Sequence, residues 1–100
     1  MVKRVIFSPK AIENTKQIIV YLKKEWSENS AKKFINVLRE KVSYIKRFPN
    51  SYHELEGREK IKRCVITKQV TLYYRVAKNE IEVITLFDSR QNPDKLKTNF

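Results

Sequence analysis

Three cations, Lys60, Lys62 and Arg63, fall within one short stretch, KIKRCVI, and Arg75 and Arg90 come near the ends of two later apolar runs, VTLYYRV and EIEVITLFDSR. If these runs are neighbouring strands, side chains of one parity converge on one face. Lys60 and Lys62 then point one way and Arg63 the other. Cations gathered beside an aromatic ring such as Tyr73 suit phosphate contacts with base stacking. They would equally suit stabilising the charge that develops on a phosphodiester during cleavage. The candidate catalytic set, should the chain cut RNA, is Lys60, Lys62 and Arg90. The candidate set for holding a target or nucleic acid is Arg63, Tyr73, Arg75 and Arg90. Plainer roles stand beside these. Edge strands carry lysines to discourage edge-to-edge pairing. An Arg90–Asp88 ion pair at the surface would add less than about 1 kcal/mol.

Other chemistries find little support. The chain has one histidine, His53, and one cysteine, Cys64. That is too few nitrogen and sulfur ligands for an ordinary zinc site. Cys64 sits mid-strand, as a small buried hydrophobe does. Glu54, Glu56 and Glu59 read as a solvated loop face, although a carboxylate there could act as a base. The single glycine, Gly57, leaves no glycine-rich phosphate loop. No metal, cofactor or small-molecule ligand is expected.

The elements that must position the cations follow from hydrophobic period. Val2–Phe7 is rich in β-branched residues and predicts a first strand. Ser8-Pro9 supplies an N-cap and a first-turn proline for a helix from Pro9 to about Trp26, with Ile12, Thr15, Ile19, Leu22 and Trp26 on its apolar face. SENS breaks that helix, and Ser30 can cap a second. Its stripe is Ala31, Phe34, Leu38, Val42, Ile45 and Phe48, and Pro49 ends it. The join is short, so the helices should form an antiparallel hairpin.

After the polar loop Asn50–Arg58 the period changes to two. Lys60–Ile66 is a strand, Thr67–Gln69 a tight connection, and Val70–Val76 a strand in which Val70, Leu72, Tyr74 and Val76 alternate with Thr71, Tyr73 and Arg75. Lys78-Asn79 is a hairpin turn with Asn79 suited to positive φ. Glu80–Phe87 is the last strand, and PDKLKTNF is a tail with room for one helical turn. The order β-α-α-β-β-β groups helices early and strands late. It predicts a single α+β domain over residues 1–100, with the helical hairpin on a mainly antiparallel four-stranded sheet. The other face of the sheet should be polar, carrying Thr71, Tyr73 and Arg75.

The chain has 100 residues, enough for one core. Its net charge is +11, and the excess is uneven. Residues 1–50 hold 12 Lys and Arg against 4 Asp and Glu, giving +8, and residues 51–100 hold 10 against 7, giving +3. Such an excess predicts a polyanionic partner, either nucleic acid, a ribonucleoprotein or an acidic protein. No apolar run is long enough for a membrane span, and the opening MVKRVIFSPK lacks the pattern of a signal peptide. A cytoplasmic setting without membrane attachment is the expectation, in keeping with the lone cysteine.

The whole pattern resembles the RelE/ParE superfamily, the toxins of type II toxin–antitoxin pairs. The resemblance rests on the opening strand followed by SPKA, the helical hairpin ending in RFPN, and Gly57 before KIKRCVI. It is completed by VTLYYRV turning quickly into EIEVITLFDSRQNP. It implies a growth-arresting toxin neutralised by a cognate antitoxin protein that wraps the basic surface.

Two mechanisms are associated with this resemblance. RelE-like members cleave messenger RNA in the ribosomal A site without metal, using Lys, Arg and Tyr side chains. Lys60, Lys62 and Arg90 stand where those members hold basic residues. The chain departs from them at Thr71, where an arginine would be expected, and at Leu96, where a tail tyrosine would lie. One missing donor of that kind is worth about 3 kcal/mol in the transition state. ParE-like members inhibit DNA gyrase by binding. The long hairpin, RFPN and LYYRV resemble that branch more, and it is the favoured reading. A basic nucleic-acid-binding module is the alternative of another class, with no recognition-helix signature behind it.

Overall fold

In the computed structural model, residues 4–54 and 60–90 are described. The order is β1 (Arg4–Phe7), α1 (Pro9–Glu25), α2 (Glu28–Arg47), β2 (Ile61–Val65), β3 (Val70–Val76) and β4 (Glu80–Asp88). The sheet order is β1-β4-β3-β2. β2, β3 and β4 form an antiparallel meander, and β1 lies parallel to β4. The fold is α+β as expected. The expected helical turn in the tail and the loop around Gly57 lie outside the described residues.

The first helix begins where Ser8-Pro9 dictates. Ser8 Oγ accepts from Ala11 N at 3.0 Å, and Pro9 occupies the first turn. Ser8 also ties the helix to the sheet. Its N–H donates to Val83 O at 2.9 Å, and its Oγ donates to Ile84 O at 2.7 Å. Ile84 is the extra residue of a β-bulge, since Tyr73 pairs with Thr85 while Tyr74 pairs with Val83. Beyond it, Asn14 Oδ1 accepts from Leu86 N at 3.2 Å and from Thr85 Oγ1 at 2.6 Å. Where β1 ends, side chains of α1 therefore take over the hydrogen bonding of the β4 edge.

That anchoring sets the phase of α1 and corrects the expected stripe. The buried residues are Ala11, Ile18 and Leu22, while Ile12 is exposed and Trp26 is 66% exposed. The small side chain of Ala11 lets the first turn approach β4, and the larger Ile12 is turned aside. The second helix also starts earlier than expected. Ser27, not Ser30, is its N-cap, with Oγ accepting from Ser30 N at 3.0 Å. Ala31, Phe34, Leu38 and Ile45 are buried as the period required, but Phe48 is half exposed at the helix end.

One face of the sheet packs against the hairpin through Cys64, Val70, Leu72, Tyr74, Ile81, Val83 and Leu86. The turn after β2 is closed by Thr67 Oγ1, which accepts from Gln69 N and Val70 N at 3.3 and 3.2 Å. Lys78-Asn79 is the expected hairpin turn, closed by Ala77 N to Glu80 O at 2.8 Å. Its expected geometry needs correction. Among the described non-glycine residues only Lys60, at φ 70°, adopts a positive φ, so Asn79 does not use the left-handed region.

Candidate functional site

The meander distributes the candidate cations over three places. The register sets Arg63 opposite Tyr73, and Arg75 between Ile61 and Glu82, so Arg63, Tyr73 and Arg75 share the face turned away from the helices. Lys62 lies opposite Tyr74 on the helix side of β2, and Lys60 precedes that strand. Arg90 follows β4 at the other end of the sheet. Lys62 pairs with Tyr74 and Asp88 with Val70, so four residue steps along β3 separate them, about 13 Å of strand. Lys60 and Lys62 are thus brought together, as are Arg63 and Arg75. Arg90 joins neither pair.

On the open face the expected stacking platform is not exposed. Tyr73 is only 5% exposed, which corrects the reading of that face as uniformly polar. Burial pushes its phenol pKa up, and Arg63 across the strand partly offsets the rise. Arg75 Nη2 reaches Glu82 Oε1 at 2.8 Å, a half-exposed ion pair. Arg63 is exposed.

At the β2 edge, Lys62 Nζ donates to Tyr52 O at 3.2 Å. Lys60, Lys62, Asn50, Glu54 and Val76 line a depression of about 290 Å³. Lys60 enters it from a left-handed backbone, a conformation that costs a side-chain-bearing residue about 1 kcal/mol.

Arg90 is not half of the weak surface ion pair that the sequence suggested. Its Nε donates to Asp88 Oδ1 at 2.8 Å and its Nη2 to Oδ2 at 2.6 Å, while Arg90 N donates to Oδ1 at 2.9 Å. The Asp88 side chain is 2% exposed and that of Arg90 24%. The guanidinium also lies over the Tyr21 ring, 4.8 Å from its centre. The hydrogen bonds to Asp88 raise the Arg90 pKa first, with desolvation opposing. A weak surface pair is therefore replaced by a bidentate bond to a buried carboxylate. No sequence period marked Tyr21 as a partner, because it lies off the apolar stripe of α1.

Arg90 also borders a groove of about 260 Å³ between the hairpin and the end of the sheet. Leu22, Phe34, Val37 and Val70 supply apolar walls, and Lys33 stands with Arg90 at the rim. Among the described residues no carboxylate lines it. The groove suits a chain that inserts an apolar side chain and sets a carboxylate against two cations.

Among the described residues no group of three or more His, Cys, Asp or Glu could hold a metal ion, and no helix is long and apolar enough to cross a membrane. Cys64 is fully buried, and its thiol pKa is raised by desolvation.

Comparison with solved structures gives the same fold. The chain aligns with a structure described as the chromosomal ParDE toxin–antitoxin system of P. aeruginosa at TM-score 0.75 and 13% identity, covering 87% of this chain and 96% of that one. A YoeB dimer from Staphylococcus aureus gives 0.63 at 21% identity, covering 87% and 97%. A mutant of the toxin RelE from E. coli in the free state gives 0.66 at 13% identity, covering 99% and 94%. A search of the curated proteins found no match. The family model for the ParE toxin of the type II toxin–antitoxin system, parDE, matches residues 5–93. With nearly the whole sheet and hairpin inside that match, the chain belongs to the ParE toxin family of type II toxin–antitoxin systems.

Proposed function

We propose that this toxin arrests growth by binding and inhibiting DNA gyrase, and that a cognate antitoxin restrains it. The observation that carries the reading is the family match over residues 5–93, taken with the dispersal of the cations. A cleaving site needs its donors around one phosphodiester. Here Lys60 and Lys62 lie across the sheet from Arg90, and Arg90 is engaged by Asp88. A binding inhibitor needs surface, not convergent donors. Arg63 and Arg75 on the open face and the positively charged hairpin provide it.

The antitoxin is read as a protein with an acidic, amphipathic segment that docks in the groove between Arg90 and Lys33. Solved neighbours of this fold include a DinJ–YafQ toxin–antitoxin complex from E. coli. The apolar lining of the groove, with no carboxylate among its described residues, supports that kind of occupant here.

The second reading is ribosome-dependent mRNA cleavage. It is supported by Lys60 and Lys62 lining one depression, with Lys60 held in an unfavourable backbone conformation. Primer extension on RNA from cells expressing the toxin, read beside plasmid supercoiling, separates the two. Lost supercoiling with intact transcripts supports gyrase. Codon-phased cuts with normal supercoiling support the nuclease.

A further inference from the structure

Far from the groove, the C-terminal end of α2 exposes two aromatic rings that the core does not need. Tyr44 and Phe48 are 46% and 49% exposed, with ring centres 5.1 Å apart and planes tilted by 46°. They head an aromatic chain into the core. Tyr52 stands edge-on to Tyr44 at 6.0 Å, and buried Tyr74 edge-on to Tyr52 at 6.4 Å. Tyr74 Oη donates to Pro49 O at 2.8 Å, which fixes the base of the chain.

Beside Tyr44 and Tyr52 opens a depression of about 410 Å³, completed by Lys41, Glu40 and Ser51. The Arg47 guanidinium lies over the outer ring, 5.5 Å from the centre of Phe48. Exposed rings on rigid backing, with cations at either side, are what an unpaired base and its flanking phosphates require. Phosphate chemistry matches the +11 charge of the chain, whereas a purely apolar partner would gain nothing from Lys41 and Arg47.

We propose that this end of α2 binds single-stranded nucleic acid. One base stacks on Tyr44, and neighbouring phosphates contact Lys41 and Arg47. Glu40, a carboxylate in the lining, accepts a hydrogen bond from an exocyclic amine. The site therefore prefers cytosine or adenine to thymine. The proposal stands independently of the gyrase reading.

The test is fluorescence anisotropy of the purified toxin with labelled ten-nucleotide strands of deoxycytidine, thymidine or abasic backbone, over a series of salt concentrations. The expected order is deoxycytidine, then thymidine, then abasic. Tyr44→Leu, which keeps apolar bulk but removes the ring, should weaken deoxycytidine binding on the order of tenfold and bring it near the abasic strand. Arg47→Gln should lower the salt slope by about 0.7. Circular dichroism confirms the fold of each variant. Equal binding of the deoxycytidine and abasic strands, or an unchanged affinity in folded Tyr44→Leu, overturns the proposal. So does failure of every strand to bind, and antitoxin binding weakened by Tyr44→Leu would then assign the patch to a protein partner.

Discussion

Arg90 and Asp88 form a fork-to-fork pair at the end of β4, at 2.8 and 2.6 Å, with the carboxylate almost wholly removed from water. The pair is part of the architecture. It seals the last strand against α1 through Tyr21 and presents one flank of the guanidinium to the groove. Removing the guanidinium strands a buried carboxylate with, among the described residues, the Arg90 backbone N–H as its remaining hydrogen-bond partner.

Arg90→Ala should therefore cost about 3 kcal/mol of stability. Lysine cannot reproduce the bidentate geometry, so Arg90→Lys should fall between Ala and the native residue. Urea unfolding at neutral pH checks this. A loss below about 1 kcal/mol for Arg90→Ala would make the pair no stronger than an exposed one. Because this variant weakens the fold, its toxicity is informative only at temperatures where it is folded.

Most of the scaffold was legible in the sequence. Ser8-Pro9, Pro49 and the two-residue period of Val70–Val76 marked boundaries by local backbone chemistry, which acts before tertiary contacts form. The errors came where tertiary contacts decide. Two stripes of α1 share Leu22, and only the anchoring of Ser8 on Val83 and Ile84 selects the one containing Ala11. Ser27 and Ser30 are both competent caps, and the sharp join at Trp26 selects Ser27. The cation site was the least legible part. Residue parity gives the face of a strand, but which end of the sheet each cation reaches depends on strand order. Asp88, Tyr21 and the Tyr44–Phe48 pair became partners only through that packing.

Ser27→Ala should destabilise the protein by about 1 kcal/mol, since Ser27 Oγ satisfies an otherwise orphaned first-turn N–H. Ser30→Ala should cost clearly less. Thermal or urea melts of the two variants check the order, and the reverse order would return the cap to Ser30.

Alkaline pH should unfold the protein earlier than its net charge alone implies. Desolvation pushes the Tyr52 phenol up to about 12, and Tyr73, Tyr74 and the Cys64 thiol are also raised. Each is more readily deprotonated in the unfolded chain. The stability they contribute is complete below their ordinary values and is lost as pH climbs from about 9 towards 12. Urea midpoints at pH 8 and pH 11 should show the fall, and Tyr52→Phe should flatten it. A midpoint that does not move over this range would contradict the buried-phenol account.

Lys60→Gly separates the two functional readings without disturbing the fold. Glycine accepts φ 70° freely, so stability should change by less than about 1 kcal/mol in either direction. Under gyrase inhibition, growth arrest should persist in this variant. Loss of arrest in a folded Lys60→Gly protein would favour cleavage chemistry at the β2 edge.

Gyrase inhibition is read out by adding the purified toxin to purified DNA gyrase with relaxed plasmid and ATP. Supercoiling should fall with toxin concentration and return when the cognate antitoxin is added. Undiminished supercoiling at a large excess of folded toxin would contradict gyrase inhibition.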